Sequence, residues 1–134
     1  MSVDAIGNFL TTLRNAIMAS KPFVVTPHSK MNSAIMNILQ KEGFIKSGEV
    51  INSDDVTKKQ LKIVLKYVEG ESVIHRIERI SKPSRRVYVG GNKIKPVIDG
   101  LGISILSTNK GVITDKQVKS QATLVGGEVL CTIW

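Results

Sequence analysis

Apolar positions in the N-terminal half recur with the period of an α-helix in two stretches. The first stretch carries Ile6, Phe9, Leu10, Leu13, Ala16 and Ile17. The second stretch carries Met31, Ala34, Ile35, Ile38 and Leu39. We predict a first helix from a cap at Asp4 to about Ala19, and a second helix that begins after a cap at Ser29 and ends before a left-handed Gly43.

Short apolar runs between and after these helices predict strands. Residues 23–25 and 44–51 are typical of strands, and a polar turn follows at 52–55. In residues 61–67, one set of positions holds Leu61, Ile63, Leu65 and Tyr67, and the positions between them hold Lys62, Val64 and Lys66. This alternation indicates one buried and one solvated face. The first half is therefore predicted as helix, strand, helix and hairpin, with both helices on one side of the sheet.

The second half is predicted to consist mostly of strands. Residues 85–89, 103–106 and 129–133 are predicted strands, with turns at 81–84 and 90–92 and a short helical turn at 93–98. Thr114 and Gln117 have the three-residue spacing of a capping box and predict a helix of about two turns to Thr123.

This order of elements predicts an α/β chain of the α+β type with two small, tightly packed subdomains. The boundary is placed at 68–72, where Gly70 lies among acidic residues. The N-terminal subdomain would cover residues 1–67 and the mainly β C-terminal subdomain residues 72–134. The chain has 134 residues, a length that allows one ordinary domain or two very small ones.

Cysteine content and hydropathy restrict the cellular context. The single cysteine, Cys131, excludes an intramolecular disulfide, and its apolar neighbours indicate a buried thiol in a reducing compartment. No apolar run approaches the roughly 18 residues of a membrane span, and the N-terminus lacks the pattern of a signal peptide. The sequence therefore predicts a cytosolic protein without a membrane partner.

The formal net charge of +8 is larger in the second half of the chain, with +5 over residues 71–134 and +3 over residues 1–70. Seven basic residues between positions 76 and 95 are accompanied by one acid, Glu78; they are Arg76, Arg79, Lys82, Arg85, Arg86, Lys93 and Lys95. Such a stretch attracts polyanions through the release of their counterions. A solvated basic face without a partner is the alternative explanation of the same charges.

Motifs for catalysis or metal binding are missing from the sequence. The glycines at 90–91 and 111 do not have the spacing of a phosphate-binding loop. His28 and His75 are far apart and have neither a nearby cysteine nor paired carboxylates, so that no zinc site or catalytic triad is indicated. We expect no enzyme activity, no metal and no cofactor.

Residues 107–111, with the sequence Ser-Thr-Asn-Lys-Gly, contain more hydrogen-bonding groups than a turn requires. Hydroxyl and amide groups can bond base edges and ribose 2′-hydroxyls, and a lysine can contact phosphate. An ordinary loop whose Ser and Thr satisfy local backbone groups is equally compatible with this composition. Tyr88, beside two arginines, is compatible with nucleotide stacking or with an aromatic that covers the core from a sheet edge.

Five motifs occur in the order and spacing of one known family. They are Arg-Val-Tyr at 86–88, Gly-Leu-Gly at 100–102, Ser-Thr-Asn-Lys-Gly at 107–111, Ile-Thr-Asp at 113–115 and Gly-Gly-Glu at 126–128. Together with Asp-Ala-Ile at 4–6 and Glu-Gly-Phe-Ile at 42–45, they resemble the bacterial family of the eighth protein of the small ribosomal subunit. Asn109 stands where that family commonly has serine.

The resemblance implies a structural protein that binds the central domain of small-subunit ribosomal RNA and assists its assembly beside neighbouring ribosomal proteins. The RNA-binding residues that the resemblance implies are Ser107, Thr108, Asn109, Lys110, Gly111, Tyr88, Gly126, Gly127 and Glu128. The charges of Arg85, Arg86 and Lys30 add these three residues as predicted contacts. From the chemistry of these residues we expect Ser107 and Thr108 to contact base and sugar groups. We expect Lys110, the arginines and Lys30 to contact phosphates, and Glu128 to orient the hydroxyls.

Further roles remain open from the sequence alone. In several bacteria the family also represses translation of its own operon by binding a similar messenger RNA, which implies a second role for this chain. A regulator that acts mainly on messenger RNA and an enzyme that uses Cys131 are the alternatives.

Overall fold

The computed structural model describes residues 5–52, 58–90, 101–120 and 126–134. The chain divides into two compact units, one formed by Ala5–His75 and one that contains the residues from Arg76 to Trp134. The predicted boundary at 68–72 thus lies a few residues before this division. The extent of an RNA-binding subdomain stays a prediction. Both units combine helices with antiparallel strands, so the α+β class is confirmed.

The N-terminal unit contains two helices, a three-stranded sheet and a small hairpin. Its elements are α1 Ala5–Met18, β1 Phe23–Pro27, α2 Lys30–Lys41, β2 Ile45–Asn52, β3 Lys59–Leu65, β4 Tyr67–Val68 and β5 Glu71–Ser72. The sheet has the order β1-β3-β2, and all pairs are antiparallel. The predicted helix, strand, helix and hairpin are confirmed, whereas the cap at Asp4 and the turn at 53–55 lie outside the described residues.

The alternation along β3 determines which face of this sheet forms the core. Leu61, Ile63 and Leu65 are at most 4% exposed, while the residues between them are partly accessible. Successive side chains of a strand point to opposite faces, so the three buried residues line one face. The apolar stripes of α1 and α2 are buried as well, because Leu13, Ile35 and Leu39 are fully inaccessible to solvent.

Both ends of α2 have the local structure that the sequence predicts. Ser29 has an extended backbone, and its hydroxyl accepts a hydrogen bond from the backbone N–H of Asn32 at 3.0 Å. At the other end Gly43 has φ +82°, a left-handed conformation that glycine adopts without steric cost. Each of these two features depends only on residues that are a few positions apart in sequence.

Substitution of the cap, Ser29→Ala, is expected to lower the free energy of unfolding of the N-terminal unit by about 1 kcal/mol, because one N–H at the start of α2 loses its acceptor. Urea titration followed by far-UV circular dichroism measures the change. Ser29→Asp serves as the control, since aspartate is also a good cap. Equal stability of the alanine and aspartate variants would show that the capping bond contributes nothing.

The C-terminal unit is built around one long strand. Its described elements are β6 Ile77–Arg79, β7 Tyr88–Val89, β8 Ile103–Thr108, β9 Gly111–Thr114, α3 Asp115–Ser120 and β10 Gly127–Ile133. The strand β10 pairs with β8 along one edge, and with both β6 and β7 along the other. A bulge between Val129 and Cys131 interrupts the pairing of β10 with β8.

The core of this unit lies against the part of β10 that follows the bulge. Ile103, Ile105, Leu130, Cys131 and Ile133 are fully buried. Residues of β10 before the bulge are half-buried or exposed. Polar residues can therefore occupy the start of β10 and the end of β8 without being buried in the core.

Two predictions from the sequence, the strand at 85–89 and the position of His75, are corrected. The predicted strand at 85–89 is reduced to Tyr88–Val89, since Arg85 instead forms a tight turn by exchanging two backbone hydrogen bonds with Lys82 at 2.9 and 3.0 Å. His75, predicted on a strand, lies between β5 and β6 and is exposed. The helical turn at 93–98 lies outside the described residues.

The capping box at the start of α3 is confirmed. The N–H of Gln117 donates to Thr114 Oγ1 at 3.2 Å, and the N–H of Thr114 donates to Gln117 Oε1 at 2.9 Å. Asp115, which follows Thr114, is 2% exposed. Its Oδ1 accepts a hydrogen bond from the backbone N–H of Ser104 at 3.1 Å. This bond ties the start of α3 to β8.

Candidate nucleic-acid interface

The hydroxyl-rich segment 107–111 is the tip of the β8–β9 hairpin. Thr108 pairs with Gly111, so only Asn109 and Lys110 form the connection, and the predicted five-residue loop is a two-residue turn flanked by strand residues. The left-handed φ, +106°, falls on Gly111. Glycine adopts a positive φ without steric cost, so Gly111 can close the hairpin at this tip.

The Thr108 side chain is held within this turn. Its Oγ1 donates to the carbonyl oxygen of Gly111 at 2.8 Å and accepts from the N–H of Lys110 at 3.2 Å. Asn109, Lys110 and Gly111 are exposed, while Ser107 and Thr108 are half-buried. Within the described part of the chain, Ser107 Oγ has no hydrogen-bond partner. The two neighbouring hydroxyls therefore differ in what they can offer to a ligand.

Tyr88, Glu128 and Ser107 form one row across three strands. Glu128 on β10 is the direct antiparallel partner of Tyr88 on β7 and of Ser107 on β8. Directly opposed residues of antiparallel strands project from the same face of the sheet. The sheet thus brings a phenol, a carboxylate and a hydroxyl together from positions that are 19 or more residues apart in sequence.

Glu128 is largely covered and lies near a guanidinium group. Its side chain is 17% exposed, and its Oε2 is 3.7 Å from Nη1 of Arg86, whose side chain is 46% exposed. In the described structure the carboxylate makes this ion pair and no hydrogen bond to the hydroxyls of Ser107 or Thr108. The expectation that Glu128 orients those hydroxyls is therefore not met in the free protein. The carboxylate instead orients Arg86.

Gly126 and Gly127 allow three strands to approach each other closely at this row. A Cβ atom on Gly127 would lie 2.3 Å from the Ser107 carbonyl oxygen, and one on Gly126 would lie 2.5 Å from the Val89 carbonyl oxygen. A real Cβ atom essentially never lies this close to the heavy atom of another residue. The contact could be relieved only if the strands that carry these backbone oxygens moved apart. The two glycines are thus required by the packing of β10 between β7 and β8.

Tyr88 does not cover the core, which was one of the two interpretations of its sequence position. The residue is 69% exposed, and among the described residues its hydroxyl has no hydrogen-bond partner. An exposed phenol on a flat sheet offers an aromatic face and a hydroxyl to a ligand. The geometry thus favours a surface role for Tyr88.

The basic stretch of the sequence is divided among different environments. Arg76 lies over the Trp134 ring, 5.7 Å from its centroid, and Arg79 Nη1 donates to the Leu130 carbonyl oxygen at 3.3 Å. Lys82 and Arg85 are exposed in the tight turn described above. Among the described residues of this stretch and of the hairpin tip, the cations of this turn, Arg86 and Lys110 combine exposure with proximity in the sheet to Tyr88 and Glu128. Lys93 and Lys95 lie outside the described residues.

Ser81 supports the basic turn and was not found by the sequence analysis. It is completely buried, and its Oγ accepts a hydrogen bond from the Val87 N–H at 3.3 Å. Its own N–H donates to the Val129 carbonyl oxygen at 3.1 Å, which fixes the turn to β10. A serine directly before a proline-containing turn is a weak local signal for this role.

Lys30 is the remaining predicted contact. It is the first residue of α2, it is exposed, and it belongs to the N-terminal unit. A cation at this position can contact a phosphate, but its assignment to the same interface stays a prediction.

Neither catalysis nor metal binding is supported by the described residues. Burial raises the pKa of the Cys131 thiol to about 12, so the thiol stays protonated at neutral pH. No group of three or more His, Cys, Asp or Glu side chains converges on a metal position in the described ranges. No described helix has the length and hydropathy needed to cross a bilayer.

The basic charge of the chain and a row of a phenol, a carboxylate and a hydroxyl beside Arg86 are typical of nucleic-acid-binding proteins. The family model described as "Ribosomal protein S8" matches residues 4–134. The chain therefore belongs to the ribosomal protein S8 family, as the resemblance of its motifs predicted.

Similar proteins are of the same length as this chain. "Small ribosomal subunit protein uS8" of Ruegeria sp. (strain TM1040) is 48% identical over 131 residues, which cover 98% of each chain. The protein of that name from Verminephrobacter eiseniae (strain EF01-2) is 48% identical over 97% of this chain and 96% of its own. The protein of that name from Rhizobium etli (strain CIAT 652) is 47% identical over 98% of this chain and 97% of its own.

Membership in this family confirms several predictions. The protein is a structural, non-enzymatic component of the small ribosomal subunit, and it is located in the cytoplasmic ribosome. The alternative of an enzyme that uses Cys131 is thereby excluded, in agreement with the burial of that thiol.

Proposed function

We propose that the protein binds small-subunit ribosomal RNA directly through the face of the C-terminal sheet that carries Tyr88, Glu128 and Ser107, and that this contact assists assembly of the subunit. The observation that carries the proposal is the row itself, in which three polar groups occupy adjacent positions on neighbouring strands. A surface of this kind suits an RNA helix of distorted shape. It offers hydrogen bonds at fixed positions to the base edges and 2′-hydroxyls that the distortion exposes.

The roles within the interface follow from exposure and charge. Ser107 and Tyr88 have hydroxyls without a hydrogen-bond partner among the described residues, and these can meet base and sugar groups, while Lys110, Arg85 and Arg86 have exposed cations for phosphates. The Glu128 carboxylate holds Arg86 and reduces its freedom before RNA arrives. Ordering a long side chain in advance lowers the entropic cost of binding.

The proposal is tested by measuring affinity for fragments of the central domain of ribosomal RNA over a range of salt concentrations. Ser107→Ala is expected to weaken binding by about 1 to 3 kcal/mol, with a loss of preference over unrelated duplex RNA. Lys110→Ala is expected to weaken binding to all RNAs similarly and to reduce the salt slope by about 1.

Lys116→Ala is the matched control for the charge change. Lys116 is an exposed lysine near the start of α3. The helix α3 follows β9 at the end of that strand that is farther from the Asn109–Lys110 turn. Its replacement should change binding to the fragment only slightly. If wild type binds unrelated duplex RNA as tightly as the central-domain fragment, the protein is a general polyanion binder and the proposal is wrong.

A second role as translational repressor would use the same surface, because a messenger RNA that imitates the ribosomal site presents the same groups. We propose competition between the ribosomal fragment and the leader of the protein's own operon as the test. Mutual displacement, with both affinities reduced by Ser107→Ala, is the expected result. Failure of the leader to compete would exclude the repressor role and leave ribosomal binding unaffected.

A further inference from the structure

We propose that Thr108 is a positioning residue: its side chain fixes the Asn109–Lys110 turn, and thereby the Lys110 cation, and does not donate a hydrogen bond to RNA. The proposal rests on the proposed RNA-binding function and divides the hydroxyl-rich segment into two functions. Ser107 presents a free hydroxyl to the ligand, whereas Thr108 shapes the turn from within the protein.

The hydrogen bonds of Thr108 are the first reason. A hydroxyl has one proton to donate, and that of Thr108 is directed to the Gly111 carbonyl oxygen at 2.8 Å. One of its two acceptor positions is occupied by the Lys110 N–H at 3.2 Å. Thr108 can donate to an RNA oxygen only if the bond that closes the turn is broken, so such a donated bond would cost part of the preformed structure.

The methyl group of Thr108 is the second reason. Its Cγ2 lies 2.8 Å from the position that a Cβ on residue 127 would occupy. The methyl group therefore covers Gly127, and the absence of a side chain there leaves the room for it. Both branches of the threonine are used inside the protein, one in the turn and one against β10.

The direction of the side chain is the third reason. Ser107 shares the face of Glu128 and Tyr88, because it is directly paired with Glu128. Successive residues of a strand project from opposite faces, so Thr108 projects from the other face, together with Gly127. The row proposed to meet RNA and the Thr108 side chain thus lie on different sides of the sheet.

The consequence for binding is that the turn is preformed. The Lys110 N–H is held by Thr108, and the left-handed Gly111 completes the hairpin, so the backbone that carries the Lys110 side chain is fixed before contact. A ligand that meets a preformed turn does not have to supply the free energy for ordering it. Loss of the Thr108 hydroxyl should therefore act on RNA affinity through Lys110.

The test uses Thr108→Val, which keeps the branched shape and removes the hydroxyl, and Thr108→Ser, which keeps the hydroxyl and removes the methyl group. In the free protein, exchange of the Lys110 amide hydrogen is expected to be about tenfold faster in the valine variant, since that N–H loses its acceptor. Affinity for the central-domain RNA fragment is expected to fall about tenfold for valine and to stay within about threefold for serine.

A double-mutant cycle with Lys110→Ala separates positioning from direct contact. If Thr108 acts through Lys110, Thr108→Val should cost less than about twofold in affinity when Lys110 is already alanine. Fluorescence of Trp134, the single tryptophan of the chain, shows in urea titrations that each variant is folded.

Two outcomes would overturn the proposal. One is an unchanged RNA affinity of Thr108→Val together with unchanged exchange of the Lys110 amide. The other is a full loss of affinity in the Lys110→Ala background with wild-type amide exchange, since this would show a direct contact. If Ser107→Ala and Lys110→Ala leave RNA affinity unchanged, the proposed interface is wrong, and the amide exchange alone still decides whether Thr108 fixes the turn.

Discussion

Substitution of Gly127 by alanine is expected to lower the free energy of unfolding of the C-terminal unit by about 3 kcal/mol, at the upper end of the cost of overpacking. The added Cβ would lie 2.3 Å from the Ser107 carbonyl oxygen and 2.8 Å from the Thr108 methyl carbon. Relief requires β10 to move away from β8 along a pairing that continues into the core. RNA affinity should fall with stability, because the row of Tyr88, Glu128 and Ser107 is separated at the same point.

Urea titration followed by Trp134 fluorescence measures the effect, since this tryptophan is in the C-terminal unit. Gly111→Ala is the control for conformational strain without collision. A Cβ on Gly111 would have no atom within 4 Å, and the only cost is the positive φ of +106°, about 1 to 2 kcal/mol. An effect of Gly127→Ala no larger than that of Gly111→Ala would contradict the close approach of β10 and β8.

Substitution of Asp115 by alanine is expected to lower the free energy of unfolding by about 2 kcal/mol, because the buried N–H of Ser104 loses its acceptor. The strand β9 pairs with β8 up to Thr114 opposite Ile105, and the chain then enters α3. The carboxylate of Asp115 thus takes the place of the next strand residue as the partner of Ser104. The same urea titration, with amide exchange of Ser104 as the local measure, tests this.

Asp115→Asn is the matched control, because the amide side chain keeps an oxygen at the same position. We expect it to lose less than half as much stability as the alanine variant and to keep the Ser104 amide protected. Equal destabilisation by both substitutions, with Ser104 still protected, would show that the bond is not what stabilises this corner.

The division of Thr108 and Ser107 shows why composition alone did not settle the interface. Both residues were expected to contact RNA, since both have a hydroxyl in a segment rich in polar groups. The pairing of Glu128 with Ser107 assigns the two hydroxyls to opposite faces, and the bonds of Thr108 within the turn satisfy it locally. The bonds of Thr108 within the turn fit the ordinary-loop interpretation of the segment, and the Ser107 hydroxyl, which has no partner among the described residues, fits the ligand-binding interpretation.

The basic residues show the same limit of sequence reasoning. Arg76, Arg79 and Arg86 are similar in sequence context, but one lies over an aromatic ring, one bonds a backbone carbonyl and one pairs with Glu128. Charge counts register the sum and not these partners, because the partners come from the last strand of the chain. The exposed cations proposed to meet RNA phosphates are those of Arg85, Arg86 and Lys110.

The sequence by itself determined what depends on neighbours a few positions apart. The two long helices, the Ser29 cap, the left-handed Gly43 and the box between Thr114 and Gln117 follow from periodicity and short-range hydrogen bonds, and all are present. The family, too, follows from motifs that the sequence carries in order.

Only the tertiary structure decided which residues form one surface. The partners of β10 come from positions some 20 to 50 residues away, and the register of that pairing places Tyr88, Glu128 and Ser107 side by side. No local pattern encodes a register between distant strands, because it is set by the packing of the whole sheet. The need for Gly127 and the direction of Thr108 follow from that register, and the role of Asp115 follows from the register between β8 and β9.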